Sequence, residues 1–436
     1  MAKNATSTYA YPVLNAITEW ASKLPLPAME NILFVCVQHL LKTTNDMLDH
    51  LFTLGANPQN LHILGKTYSS SSTVIEKLIA KGCHYYPNQK QSQVGQFANT
   101  FKQDIKNMWR SIQVELTRKQ PDMIVILDDG GACLAQIPNE ILSLCKVVGV
   151  EQTSSGRRNI LSNKINFPTI DVASTAAKQL VESHMIAATV TEKISHVLPK
   201  SGQGYSCFVV GLGVIGQAVT KKLLSLGYHV STFDNNPLKN CLINNANKVQ
   251  SFAEGFEKAD YIFGCTGEDI TVNLDLNKIT SNKIFVSCSS QDKEFLTLLH
   301  YIAVLGGKYN NILEDINFTN INGINIKVCR GGFPVNFDQT AESVIGRDIQ
   351  LTRGLLLGGM LQAIVLANKH QLQNRVYMLS PMLQQIAIHH WKQNGSVHLI
   401  DPALLALFDD IEWIKQNSGG FYISCDSFIM PSTIIS

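Results

Sequence analysis

Gly211, Gly213 and Gly216 spell G-x-G-x-x-G inside CFVVGLGVIGQAVTKKLLSLGYHVSTFDNNP, residues 207–237, a spacing suited to cradling a pyrophosphate. Gly211 allows a tight turn, Gly213 lets the backbone approach the phosphates, and Gly216 lets a helix pack closely on the preceding strand. Val214 and Ile215 stand where that helix begins, so its N-terminus faces the phosphates. Asp234 lies 18 residues beyond Gly216, at the end of the next strand, where a carboxylate accepts a hydrogen bond from a ribose 2′-hydroxyl. It would repel a 2′-phosphate, and Asn235-Asn236 brings no arginine to compensate, so the expected cofactor is NAD rather than NADP. A glycine turn in an ordinary α/β loop shares these letters; strand, helix, second strand and terminal acid together favour the dinucleotide site.

Other polar residues cluster where apolar runs stop. His39 follows NILFVCV, Asp128-Asp129-Gly130-Gly131 follows MIVIL, and Glu151-Gln152-Thr153-Ser154-Ser155-Gly156 follows the short strand Lys146–Val150. Thr266-Gly267 follows ADYIFGC, and Ser289-Ser290 follows KIFVSC. Ligands of open α/β sheets bind outside the carboxyl ends of strands, which gives these positions functional weight. For His39 a role in a site and local satisfaction by backbone both stay open. Two adjacent carboxylates repel unless a donor or substrate needs one of them, so Asp128-Asp129 is either a site or a turn. Lys178 and Glu182 are four residues apart on one helical face, and by themselves read as a solvated ion pair. Ser69–Ser72 reads as the cap of the helix that follows.

These clusters must be held by alternating strands and helices. The expected fold class is α/β, with two Rossmann-like doubly wound parallel-sheet domains, the C-terminal one binding NAD. The 436 residues, 45% hydrophobic and 16% charged, suffice for two large cores. A net charge of +2 leaves no electrostatic footprint for nucleic acid. Ten scattered cysteines without a CxxC pair or zinc-type spacing imply buried thiols in a reducing compartment and no metal site. MAKNATSTYAYP lacks the apolar stretch of a signal peptide, and the most apolar run, Gly354–Ala367, reads as too short and glycine-rich to span a bilayer. A cytoplasmic protein with no membrane partner is expected.

In this order the clusters resemble the S-adenosylhomocysteine hydrolases (adenosylhomocysteinases), over nearly the whole chain up to about Ala367. Asp128-Asp129-Gly130-Gly131 is similar to the family's DDGG loop, Glu151–Gly156 to its EETTTG loop, and Lys178 to the lysine of its KSKFDN helix. GLGVIG resembles its GxGxxG, Thr266-Gly267 its TG turn, and Val335-Asn336 its VN pair. The resemblance implies a tightly held NAD that oxidises the substrate's ribose 3′-hydroxyl, then elimination of the 5′ thiol, addition of water and return of the hydride. It implies Lys178 and Glu182, a glutamate for the family's aspartate, at the 3′-hydroxyl, and His39 with Asp129 at the 5′ end. Gln152 and Thr153 are expected at the substrate, and Thr266, Gly267 and Asn336 at the cofactor.

Several positions depart from the family. Leu41 and Thr43 stand where it has a threonine and the adenine-binding glutamate, Gln152 where a ribose-binding glutamate lies, and Ser183 where an asparagine follows the catalytic acid. Ser290 replaces one histidine, and a second falls near Arg347. The C-terminal SGGFYISCDSFIMPSTIIS has no counterpart of the lysine and tyrosine that reach a neighbouring subunit's NAD. The expected protein is a diverged member, an NAD-dependent homo-oligomer, dimer or tetramer, oxidising the 3′-hydroxyl of a nucleoside or sugar, with thioether hydrolysis on a changed substrate; the alternative is a non-catalytic NAD-binding regulator. Residues 1–200 form the substrate domain, completed by about 345–375; residues 201–344 form the NAD domain; and residues 376–436 form a helical and irregular tail.

Overall fold

The computed structural model describes residues 11–89, 95–275, 278–306 and 313–419. Apolar runs in the first half become β1 (Ile32–Gln38), β2 (Leu61–Gly65), β3 (His84–Tyr86), β4 (Met123–Asp128), β5 (Lys146–Glu151) and β6 (Thr169–Asp171). The second half gives β7 (Ser206–Val210), β8 (His229–Phe233), β9 (Asn247–Lys248), β10 (Tyr261–Gly264), β11 (Lys283–Ser287), β12 (Ile316–Thr319) and β13 (Asn325–Val328). β14 (Val376–Met378) returns to the first sheet.

The first sheet runs β14-β6-β5-β4-β1-β2-β3 and is parallel throughout. The second runs β12-β13-β11-β10-β7-β8-β9, with only the β12–β13 pair antiparallel. The second half thus ends in a small antiparallel addition. β1, β2 and β4 are buried along their whole length, because helices cover both faces of a parallel sheet. Strand order reverses between β1 and β4 in one sheet and between β7 and β10 in the other. A crevice opens at such a reversal, and His39, Asp129, Gly211 and Thr266 each follow one of these four strands.

The helix Gly346–Asn368 is buried from Asp348 to Ala367 and anchors one face of the first sheet. At 23 residues it is long and apolar enough to cross a membrane, contrary to the sequence reading of a shorter run, yet it is enclosed by protein. Its glycines serve packing: a Cβ on Gly354 would collide with the Val13 side chain.

One helical segment crosses between the domains. It contains a π turn at Lys178–Glu182 and continues as an α-helix over Ser183–Lys193. Ala177, Val181 and Met185 pack in the first core, whereas Ala187, Val190 and Ile194 pack in the second. A boundary at residue 200 therefore cuts too late.

The tail also needs correction. Residues 376–378 form the edge strand paired with β6, and the helix Pro381–Trp391 packs against the first core. Gln362 Nε2 donates to the Met378 carbonyl at 3.0 Å, and Trp391 Nε1 to the Asp348 carbonyl at 3.1 Å. Residues 420–436 of the expected tail lie outside the described residues.

Leu379, Leu383, Ile388 and Trp391 are at most 1% exposed. Each such side chain contributes roughly 1.5–3 kcal/mol by burial, against a net domain stability of about 5–15 kcal/mol. A chain ended at residue 375 should therefore lose the cooperative thermal transition of the first domain in circular dichroism. An unchanged transition would show that this segment is dispensable.

Candidate functional site

β7 ends at Val210, and Gly211 turns with φ at 92°. A Cβ on Gly216 would collide with the Gly211 carbonyl, so glycine alone lets the helix Val214–Ser225 approach the turn. A Cβ on Gly213 would meet nothing within 4 Å. The space there belongs to a cleft of about 410 Å³, lined by Gly211, Gly213, Asp234 and Thr266 among others. Val214 and Ile215 form the first turn of the helix, as the sequence indicates.

Asp234 closes the cleft's far end. Its carboxylate accepts from Leu212 N–H at 2.7 Å and Asn236 N–H at 2.8 Å. Lys239 Nζ stands 3.6 Å away, a cation the sequence reading did not weigh, and Arg158 of the first domain lines the same cleft. Below Thr266-Gly267 lies Glu294, also missed. Its carboxylate accepts from Thr266 N–H at 2.6 Å, from the Thr266 hydroxyl at 3.0 Å and from Gly267 N–H. Burial outweighs these donors and raises the Glu294 carboxyl to about 7. Asn336 is buried in the segment returning from the second domain but lines neither this cleft nor the one described below.

In the first domain Asp129, only 3% exposed, gathers three donors. His39 Nε2 lies 3.2 Å from one oxygen, Gln152 Nε2 donates to the same oxygen, and Lys66 Nζ donates to the other. Burial opposes the charge of Asp129, but Lys66 and His39 hold it well below the usual carboxylate range. The same pairing keeps the buried Lys66 ammonium protonated. Burial lowers the His39 pKa to about 4, so its ring is neutral at pH 7. Both its nitrogens are engaged, Nδ1 by the Ser69 hydroxyl, and the ring stacks on Phe337 at 4.0 Å between centroids. Ser69 thus serves His39, and Ser71, the residue at the helix N-cap, makes no side-chain cap bond.

The neighbouring acids are structural. Asp128 accepts from Cys133 N–H at 2.7 Å and Leu134 N–H at 2.9 Å. Glu151 accepts from Thr153 N–H and from the Thr153 hydroxyl, each at 2.7 Å. The Thr153 hydroxyl also caps the helix Ser154–Asn163 by accepting from Gly156 N–H at 2.9 Å. With the Ser155 hydroxyl also donating to it at 3.3 Å, Thr153 is scaffold more than substrate contact, although it lines the cleft between the domains.

Lys178 Nζ and Glu182 Oε2 are 2.7 Å apart, with each side chain 13% exposed. They do not form the solvated surface pair that their spacing suggested. They line a cleft of about 330 Å³ together with Gln152, Gly213, Val214 and Thr266. The crevice thus joins the first-domain cluster to the glycine cradle. The π turn that carries the pair is a feature frequent at functional sites. Arg353 and Glu342 complete the surroundings through Thr43: Arg353 Nε donates to its hydroxyl at 3.2 Å, and Glu342 accepts from its N–H at 2.9 Å.

No family model matches the chain. It is 27% identical over 369 residues to an uncharacterized protein found in two strains of Mycobacterium tuberculosis, covering 83% of this chain and 69% of that protein. Among solved structures it is similar to a 2-hydroxyacid dehydrogenase from Ketogulonicigenium vulgare, with a TM-score of 0.39 and 9% identity over 78% of this chain and 96% of that one. It is also similar to the pyruvate reductase of Chlamydomonas reinhardtii, with a TM-score of 0.39 and 11% identity over 80% and 99% of the two chains. Both overlaps are loose; the chain's own two sheets define the fold class.

Glu294 makes stability depend on pH. Its folded pKa of about 7 exceeds the ordinary 4.5, so the folded state holds a proton that the unfolded chain has released. Stability should fall as pH rises from about 4.5 to 7, by up to about 3 kcal/mol from this group. Urea midpoints across that range should drop less in Glu294→Gln than in the wild type. Equal slopes would place the proton on another group.

Proposed function

We propose that the protein binds NAD in the second-domain cradle and oxidises a secondary hydroxyl of a nucleoside- or sugar-type substrate held by the first domain. The observation that carries this reading is the Lys178–Glu182 pair, which shares one cleft with Gly213 and the helix N-terminus behind it. The cradle residues fit a dinucleotide: open space over Gly213 for a pyrophosphate, helix N–H groups behind it, and Asp234 at the ribose end. Bound NAD supplies the hydride acceptor.

The chain supplies proton handling and orientation. Lys178 and Glu182 set a donor and an acceptor within one hydrogen bond of each other. The hydroxyl proton passes to the carboxylate while the ammonium holds the substrate oxygen as its charge grows. Gln152, fixed through Asp129, presents its carbonyl oxygen with no partner among the described residues.

The resemblance to adenosylhomocysteinases would extend the reaction to thioether hydrolysis, which needs an acid–base group free to serve the leaving thiol. His39 has both ring nitrogens occupied, and Asp129 already accepts from three donors. The reading favoured by this geometry is therefore the redox step without the hydrolysis.

Fluorescence titration should show NADH binding at least about tenfold tighter than NADPH, because Asp234 repels a 2′-phosphate. Lys239→Ala should widen the gap by removing the one cation 3.6 Å from that carboxylate. Equal affinities in the wild type would remove Asp234 from the ribose.

A second measurement tests the chemistry. The NAD-loaded protein, offered a panel of nucleosides and sugars, should develop the near-ultraviolet absorbance of NADH with at least one of them. Glu182→Gln should slow this by about 10²–10⁴-fold, the usual share of general acid–base catalysis. Bound NAD that no panel member reduces would favour the non-catalytic regulator.

A further inference from the structure

Arg353 lies in the N-terminal half of the apolar helix Gly346–Asn368 and is 4% exposed. Its Nε donates to the Thr43 hydroxyl at 3.2 Å. Among the described residues its guanidinium makes no other hydrogen bond and no direct ion pair, and its two terminal nitrogens, not fully buried, keep some access to solvent. The cations near it are differently placed: Lys66 is matched by Asp129, and Lys178 by Glu182. The burial of Arg353 is offset first by the charge of Glu342, with no direct ion pair between the two, and the open end of the planar fork is left to bind a further acceptor.

Two buried acceptors in the same region are also incomplete. Among the described residues Glu342 Oε1 and Gln152 Oε1 have no hydrogen-bond partner, whereas the other polar atom of each side chain is engaged, by Thr43 N–H and by Asp129. Thr43 ties this set to the substrate end of the sheet. It opens the helix Lys42–Thr53 directly after β1 and His39, and holds Arg353 and Glu342 from its hydroxyl and its N–H. The charges of Glu342, then of Glu182 and Asp129, act on Arg353, which ties the guanidinium electrostatically to the groups already assigned to the reaction.

We propose that Arg353 binds an acidic group of the substrate while Glu342 and Gln152 accept from its hydroxyl or amino groups. The substrate class is then a hydroxylated anion, a sugar or nucleoside bearing a phosphate or a carboxylate. This rests on the reading of the cleft as a substrate site and adds the charge of what enters it. An arginine fork bonds either anion through two parallel N–H donors, which explains an arginine here where a lysine would serve only as a point charge.

The test uses the full-length, NAD-loaded protein, so that the dinucleotide cradle is filled and cannot capture the probes. Calorimetric titrations compare adenosine with adenosine 5′-monophosphate, and glucose with glucuronate, with inorganic phosphate as a small anion. In at least one pair the anionic member should bind about tenfold or more tightly than the neutral one, as expected for a charge-assisted bidentate contact. The pair that responds separates phosphate from carboxylate. Arg353→Gln should erase the preference, and Arg353→Lys should keep only part of it. If Arg353→Gln does not fold, the lysine variant carries the comparison, because it retains the charge but not the fork.

Equal binding of all anionic and neutral partners to the wild type overturns the proposal, as does a preference that survives in Arg353→Gln. NADH affinity is measured separately in every variant. A protein that fails to hold NADH but still prefers the anion would sink the cofactor reading and leave the anion site standing.

Discussion

A full negative charge on Asp129, 3% exposed, is the constraint around which the first domain is arranged. A lone carboxylate cannot stay ionised so far from water unless donors replace the lost hydration. Three arrive from separate strand ends: His39 after β1, Lys66 after β2 and Gln152 after β5. The sheet order places β1 and β4 side by side, with β2 and β5 flanking them, so all four ends open on one edge. Removing one donor would leave an unmatched charge, which makes the cluster a unit. It also holds His39 in place, while burial, against the pull of Asp129, keeps its ring neutral.

The second domain repeats the geometry with different chemistry. Backbone N–H groups and glycines do there what side chains do in the first domain. The strand reversal at β7 and β10 opens the crevice, and Glu294 holds the Thr266-Gly267 turn as Asp129 holds its neighbours. The returning segment ties the halves together. Phe333 packs in the first domain, Val335 in the second, and Phe337 stacks on His39. Asn336 is thus pinned on both sides, and any closing motion must pivot elsewhere than at that residue.

Strand-end positions were legible in the sequence because a parallel strand announces itself as a short apolar run and everything polar just after it faces the crevice. His39, Asp129, Gln152 and the glycine cradle follow that rule. Lys66 follows it too, directly after LHILG, but the serine run beyond it reads as a helix cap and draws attention away. Arg353 and Glu342 carry no such signal. They reach the site because Gly346–Asn368 folds back from beyond the second domain, a long-range pairing that local spacing does not encode. Lys178 and Glu182 show the opposite failure. Their spacing is legible, but a four-residue separation is the same on a wet face and in a cleft, and only the packing of two domains around them decides. The final strand β14 is three residues long, too short for alternation to mark it, and it needs β6 as a partner before it is a strand at all.

The π turn at Lys178–Glu182 has a consequence for how chains of this kind can diverge. It amounts to one extra residue wound into a helix whose two halves are each locked into a different core. The bulge absorbs that residue locally, so deleting it would restore regular α geometry while each half kept its face towards its own core. What would go is the bulge itself, and with it the local geometry that sets Lys178 and Glu182 into the cleft. In homologous chains a single-residue gap between Ala176 and Lys193 should therefore fall within Lys178–Glu182, where the fold tolerates it and the site does not.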